Sequence, residues 1–379
     1  MSSSSQCCAV LPEELMIEIL SRVSVKDLMQ YRCTSKWMNH LVLDRAFVKL
    51  HLSKNTNILL TIGDYERSET MCCATSCSLQ SLLQNPSSID YSHQLNHNYI
   101  VLGVCNGLVC LQGSHYVDDC EDFWVRFWNP STRLMSENSP CVRFPSDDSF
   151  IFGFGFGYDD WSDTYQVVFL DNKSEKMEVS VHSLGDSCWR NVLSCDALET
   201  FSLYGVYVCG TINWLALPKS GFDYGWRDVT MNEIKILSYD VKNEKCNYLS
   251  MPDFHCEVPH DELVIQVFKG CLCLSHRQGT QLFVCTMREF GVAKSWTPLL
   301  NINYEDLDIH VLHGMPTIPM ILCISENDDV LLLGSYNSAK FFLYNKKDNR
   351  IDRYEVFNDK EFYYFSYDYV HSLVLPYRN

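Results

Sequence analysis

Two interleaved series of strand-and-turn segments recur along most of this chain, and no other feature restricts its folding as much. The first series consists of apolar runs bent at a polar centre: Gly103 to Leu111 around Asn106-Gly107, Phe154 to Phe169 around Asp159, Val206 to Leu217 around Gly210, Val264 to Leu274 around Lys269-Gly270, and Leu322 to Leu333 around Asn327-Asp328. Gly-containing turns between apolar runs signal hairpins, because tight hairpin turns need backbone angles that Asn and Gly tolerate. The second series falls between these centres: Phe127 to Arg133, Val181 to Asp186, Ser238 to Asn243, Phe283 to Arg288 and Leu343 to Asp348. Each is a strand running into a polar turn.

Both series repeat at intervals of roughly 50 residues, the length of a four-stranded propeller blade of the kelch kind. One such sheet cannot cover both of its faces, so neighbours must stack. The outer segments Asn57 to Ile62 and Phe362 to Leu375 also read as strands. Pairing them closes a ring and removes the exposed sheet edges, which completes a sixth blade. The expectation is an all-β, six-bladed propeller-like domain over 57–375.

The first fifty residues follow a different period. Pro12 suits the first turn of a helix, Glu13 and Glu14 complement its dipole, and Leu15, Met16, Ile19 and Leu20 recur at helical spacing. A second helix is predicted from Ser24, with Asp27 three residues on as in a capping box, followed by Leu28, Tyr31 and Arg32. A third starts near Ser35 and carries Trp37 and Leu41, before Asp44 caps a last turn leading to Phe47, Leu50 and Leu52. A three-helix unit of about 45 residues is near the lower limit for independent folding, which implies a partner surface.

These residues carry a resemblance. Leu11-Pro12-Glu13-Glu14-Leu15, Glu18-Ile19-Leu20, Val25-Lys26-Asp27-Leu28, Arg32-Cys33-Thr34-Ser35-Lys36 and Phe47-Val48-Lys49-Leu50-His51-Leu52 resemble the F-box of plant F-box proteins. Two positions depart from the pattern: the family usually has Pro where Ser24 stands, and its Trp falls at Met38, one place after Trp37. In the remainder, Phe127-Trp128-Asn129-Pro130-Ser131-Thr132-Arg133, Gly155-Phe156-Gly157-Tyr158-Asp159, Ser187-Cys188-Trp189-Arg190 and Gly291 to Trp296 resemble the associated domain of plant F-box/kelch-type proteins, although strict kelch repeats with paired glycines are absent. The resemblance implies an α+β multidomain chain with an F-box over 8–52. It further implies docking on a Skp-type adaptor, and through it on a cullin and a RING subunit, to recruit a protein target for ubiquitination. Adaptor contacts are expected from Leu11, Pro12, Leu15, Ile19, Leu20, Val25, Leu28, Lys36 and Trp37.

Composition narrows the alternatives. Of 379 residues 46% are hydrophobic, which is ample for a core, and a net charge of -17 without a basic stripe disfavours nucleic acid. No apolar run reaches the roughly 18 residues that span a bilayer. Met1 to Gln6 carry no basic side chain, and Glu13 and Glu14 interrupt the first apolar stretch. The pattern therefore predicts no signal peptide, a cytoplasmic or nuclear protein and reduced thiols. The 19 cysteines mostly alternate with Val, Leu and Ile in strand-like runs, where a thiol acts as apolar filler. They lack the paired two-residue spacing of structural zinc sites, so no metal is expected.

Two acidic groups, Asp118, Asp119, Glu121 and Asp122 on one side and Asp159, Asp160 and Asp163 on the other, are the material for a glycosidase-like alternative acting on a carbohydrate or small ligand. Solvated turns are the better account of both groups, since Asp is favoured there. No nucleophile elbow, phosphate loop or cofactor motif is present, so no catalytic residue and no cofactor is expected; an F-box protein acting outside a ligase is a further alternative. Target binding is expected on a propeller rim, where Phe222, Tyr224, Trp226 and Arg227 are residue types that dominate interface energies.

Overall fold

A computed structural model describes residues 11–55, 57–65, 72–78, 93–95, 99–145, 152–171, 176–195, 199–200, 202–217, 233–252, 263–307, 318–325, 329–335, 340–355 and 362–377. Four short helices come first: α1 (Glu13–Leu20), α2 (Val25–Tyr31), α3 (Lys36–Leu43) and α4 (Arg45–Lys54). Side-chain caps set three of their starts. Ser24, Ser35 and Asp44 accept the backbone N–H of Asp27, Met38 and Phe47, satisfying donors that the first turn leaves open. The expected last turn after Asp44 is thus a full ten-residue helix, because the strong cap is followed by helix formers up to Lys54.

Most of the described residues after 56 belong to antiparallel meanders. Strand Phe362–Val370 pairs along its whole length with Asn57–Tyr65, from Asn57 opposite Val370 to Tyr65 opposite Phe362, and Cys72–Ser78 and His93–Leu95 follow outward. The next sheet contains Ile100–Cys105, Leu108–Val117, Cys120–Asn129 and Leu134–Met135, with Val142–Pro145 beside the third strand. A nine-stranded sheet comprises two meanders, Phe152–Asp159 to Arg190–Cys195 and Tyr204–Val208 to Lys245–Leu249, joined where Tyr204 and Gly205 run parallel to Phe154 and Gly155. Leu263–Phe268 to Trp296–Asn303 and Pro319–Ile324 to Arg350–Glu355 form the remaining four-stranded sheets.

The inner strands of these meanders touch in one closed circuit. Phe362–Val370 meets Ile100–Cys105, which meets Phe152–Asp159, then Tyr204–Val208, Leu263–Phe268, Pro319–Ile324 and Phe362–Val370 again. The core lies between neighbouring sheets. Leu102, Phe123 and Phe127 of one pack on Phe154, Phe156, Tyr165 and Phe169 of the next, and the indole of buried Trp214 donates to the Phe154 carbonyl across the parallel junction at 2.9 Å. The last inner strand ends at Val370, short of the expected Leu375, because the following residues turn away to pack against the helices.

Candidate functional site

Four of the predicted docking residues are exposed together at the start of the helical unit. Leu15 and Ile19 lie one turn apart on α1, Leu11 stands two residues before it, and the three are 51%, 54% and 52% exposed, with Pro12 exposed beside them. Leaving three large aliphatic side chains half in water forgoes about 1 kcal/mol each, roughly half of what full burial contributes. Trp37 is half-buried and its indole donates to Glu13 at 3.1 Å, which brings the start of α3 against the start of α1; Lys36 is exposed next to it.

The other predicted residues face inward. Val25 and Leu28 are 3% and 0% exposed and form the helical core with Met38, Leu41, Val42 and Phe47, while Leu20 packs against it from the side. Both departures from the family pattern have structural work. Ser24 caps α2, with its hydroxyl also donating to Asp27 at 2.7 Å, and Met38 fills the core where the family places Trp.

The helices are joined to the β domain by contacts that sequence reasoning did not single out. The core of the helical unit includes Leu373, 2% exposed, from the segment after the last inner strand. His51, fully buried, donates from Nε2 to the Val23 carbonyl at 2.9 Å, which leaves Nδ1 to accept from the Asn55 amide at 2.9 Å. That amide also lies 3.3 Å from the His371 carbonyl. The segment itself is pinned from below: Asn129 donates to the carbonyls of Ser372 and Val374 at 3.0 and 2.8 Å. Gly107, at φ 79°, sits so close that a Cβ there would lie 2.6 Å from Ser372 Cβ.

A second attachment lies on the turn between Phe152–Asp159 and Thr164–Asp171. Asp163 accepts from Lys49 at 2.8 Å and Arg45 at 3.2 Å, and the Tyr158 phenol donates to it as well. Lys49 first and then the phenol hold the Asp163 carboxyl below its ordinary range, and Asp163 raises Lys49 in turn. Burial pushes His51 and His371 toward the neutral form, and for His371 the nearby His51 adds to it. The only sequence-level hint was His51 standing four residues after Phe47 on the buried side of α4.

These contacts fix the faces of the β domain. The turn from Asp159 to Thr164, entered from an inner strand, points to the helices. The acidic turn of Asp118 and Asp119 closes the other end of the Leu108–Val117 hairpin, so the two carboxylate groups lie at opposite ends of the domain. Asp122 is engaged bidentately by Arg143, both contacts 2.6 Å, and Asp159 accepts from Trp161 N–H and the Ser162 hydroxyl within its own turn. Phe222, Tyr224, Trp226 and Arg227 lie outside the described residues. Leu217 and Lys235, the nearest described strand ends, both stand at the end remote from the helices, since Tyr204–Val208 runs parallel to Phe152–Asp159. Among the described residues no three His, Cys, Asp or Glu side chains are grouped to hold a metal, and no helix is long and apolar enough to cross a membrane.

Two family models match this architecture. Residues 8–52 match the F-box-like model and residues 58–374 the F-box associated beta propeller domain. The chain therefore belongs to the F-box associated beta propeller family. Among its relatives are two proteins of Arabidopsis thaliana. The F-box/kelch-repeat protein At3g23880 is 29% identical over 314 residues, covering 77% of this chain and 79% of that protein. The F-box protein CPR1 is 26% identical over 326 residues, covering 78% and 73%. Solved structures resemble it more distantly. A putative 6-phosphogluconolactonase from Bacteroides uniformis has a TM-score of 0.44 at 9% identity, over 83% of this chain and 98% of that one. The beta-propeller domain of the Trilobed protease from Pyrococcus furiosus has a TM-score of 0.39 at 8% identity, over 79% and 78%.

Proposed function

We propose that this chain is the substrate-recognising subunit of a Skp-cullin-F-box ubiquitin ligase, acting in the cytoplasm or nucleus. The observation that carries the proposal is the exposure of Leu11, just before α1, and of Leu15 and Ile19 on it, in a matched F-box. On this reading residues 8–52 dock on a Skp-type adaptor. Leu11, Pro12, Leu15, Ile19, Lys36 and Trp37 supply the contact face, and Leu20, Val25 and Leu28 hold the helices that present it. Residues 57–375 form the target-binding unit, which we read as six-bladed, a reading supported by the circuit of inner strands.

The chain performs no bond-making step on this account. Ubiquitin is transferred by a separate conjugating enzyme, and the receptor raises the effective concentration of target lysines beside it, a gain that depends on held geometry. Attachment of the helices at both Leu373 and Asp163 supports that role, because two separated contacts oppose rotation of one unit on the other. The separation of the two acidic groups to opposite ends of the domain argues against a paired-carboxylate hydrolase, whose groups must stand within about 10 Å. The rim remote from the helices is assigned to the protein target, and Phe222, Tyr224, Trp226 and Arg227 are proposed as target contacts on the strength of their residue types.

Co-purification with a Skp-type adaptor tests the proposal. Replacing Leu11 and Pro12 with Ala should abolish capture while the β domain keeps its melting temperature. Undiminished capture by that variant sinks the docking assignment.

A further inference from the structure

The pairing register of the closing strands places three residues of the far end of the chain against the F-box. Asn57 stands opposite Val370, so in an antiparallel pair the chain before Asn57 runs beside the chain after Val370. Asn55 accordingly reaches the His371 carbonyl, and Leu373 enters the core among Val25, Leu28, Met38, Leu41, Val42 and Phe47. Ser372 between them is fully buried, and the Asn129 amide holds the carbonyls on either side of Leu373 in place. A slip of the closing strands by one residue would turn Leu373 to the other side of its segment.

From this we infer that residues 371–373 are a working part of the F-box, which reaches its docking form only when the closing strand Phe362–Val370 has seated Leu373 in the helical core. The helical unit alone is near the size at which chains fail to bury enough apolar surface. Leu373 adds a fully buried aliphatic side chain to a core of six described residues, and removal of such a side chain leaves a cavity that short helices cannot collapse around without shifting. Ring closure and adaptor docking are thereby coupled: a chain whose β ring has not closed presents a loosened F-box, and an unfinished receptor is kept off the ligase scaffold. The inference rests on the adaptor-docking reading for its consequence, though not for its structural content.

Hydrogen exchange on the full-length chain, wild type against Leu373→Ala, tests it without any adaptor. Amides of residues 13–54 should exchange at least about tenfold faster in the variant, while those of Thr164–Asp171 and Thr211–Leu217 keep wild-type rates. Capture of a Skp-type adaptor should fall by at least about tenfold in parallel. Wild-type exchange across 13–54 in the variant overturns the inference. If wild-type protein captures no adaptor, the docking reading fails while the exchange result still decides whether Leu373 supports the helices. Should Leu373→Ala lose both units together, Leu373→Met provides the second arm: it keeps volume and should restore protection to 13–54, and failure to do so overturns the inference too.

Discussion

The ammonium of Lys49 on α4 lies 2.8 Å from Asp163, on the turn that follows the inner strand Phe152–Asp159, and Arg45 reaches the other carboxylate oxygen. One carboxylate thus ties the F-box to the β domain at a point away from the backbone link. Lys49 and Arg45 are largely exposed, so each pair alone contributes no more than about 1 kcal/mol. The Tyr158 phenol depends on the same carboxylate, and leaving it without an acceptor costs a further 1–2 kcal/mol or so. Asp163→Ala should therefore lower stability by roughly 1–3 kcal/mol in a urea titration. Asp163→Asn, which keeps an acceptor for the phenol, should lose less. Equal losses in the two variants would show that the phenol is not held by Asp163.

Acid should weaken the junction before it affects the carboxylates. Burial depresses the proton affinity of His51 and His371 below the ordinary 6.5, and drives His276 down to about 4. An unfolded chain takes up protons near pH 6.5 that the folded chain refuses. Stability is thus complete above pH 6.5 and declines as pH falls toward the depressed values. Asp163 and Glu18 are shifted down as well, so their stabilisation disappears only below the usual carboxylate range. Folding free energy measured between pH 7 and 5 should fall, and His371→Gln should show a shallower slope. An identical slope would remove His371 from the account.

Two glycines separate packing from backbone strain. A Cβ on Gly155 would press on Ile212 and lie 2.7 Å from the Trp214 ring, inside the parallel junction of two meanders. Gly155→Ala is expected to cost about 1–3 kcal/mol through overpacking. Gly210 has φ 74° with open space around its Cβ position, so Gly210→Ala should cost only about 1 kcal/mol, from the left-handed backbone. Thermal melts of the two variants provide the comparison, and equal losses would contradict the crowding at Gly155.

On the target side, Tyr224→Ala combined with Trp226→Ala should reduce target recovery in proximity labelling under proteasome inhibition and leave the melting temperature unchanged. A large drop in melting temperature would mark these rings as part of the β-domain core.

Local chemistry was legible where a few adjacent residues decide the outcome. Ser24 with Asp27 and Asp44 read as caps and Ser35 as the start of a helix, and the side chains of Ser24, Ser35 and Asp44 all cap. Asn106-Gly107 and Lys269-Gly270 mark hairpin turns and adopt positive φ at both positions. The pairing of the strand at Asn57 with that at Phe362 followed from the need to close an edge. What could not be read was contact between residues distant in the chain: nothing local distinguishes Leu373 from a strand residue, or Asp163 from other turn aspartates. The inward placement of Val25 and Leu28 likewise depends on which face of α2 the other helices cover, and helical spacing alone leaves that face open.

The proposed function depends above all on adaptor docking at Leu11, Leu15 and Ile19. Its most direct test is an equilibrium binding titration of a purified Skp-type adaptor against wild type, Leu15→Asp and Ile19→Asp, with the melting temperature of each recorded. Both positions are half-exposed, so a carboxylate there should cost folding about 1–1.5 kcal/mol, short of unfolding the unit, and at least a tenfold loss of affinity is expected from each. Wild-type affinity in both variants, with folding intact, would contradict it.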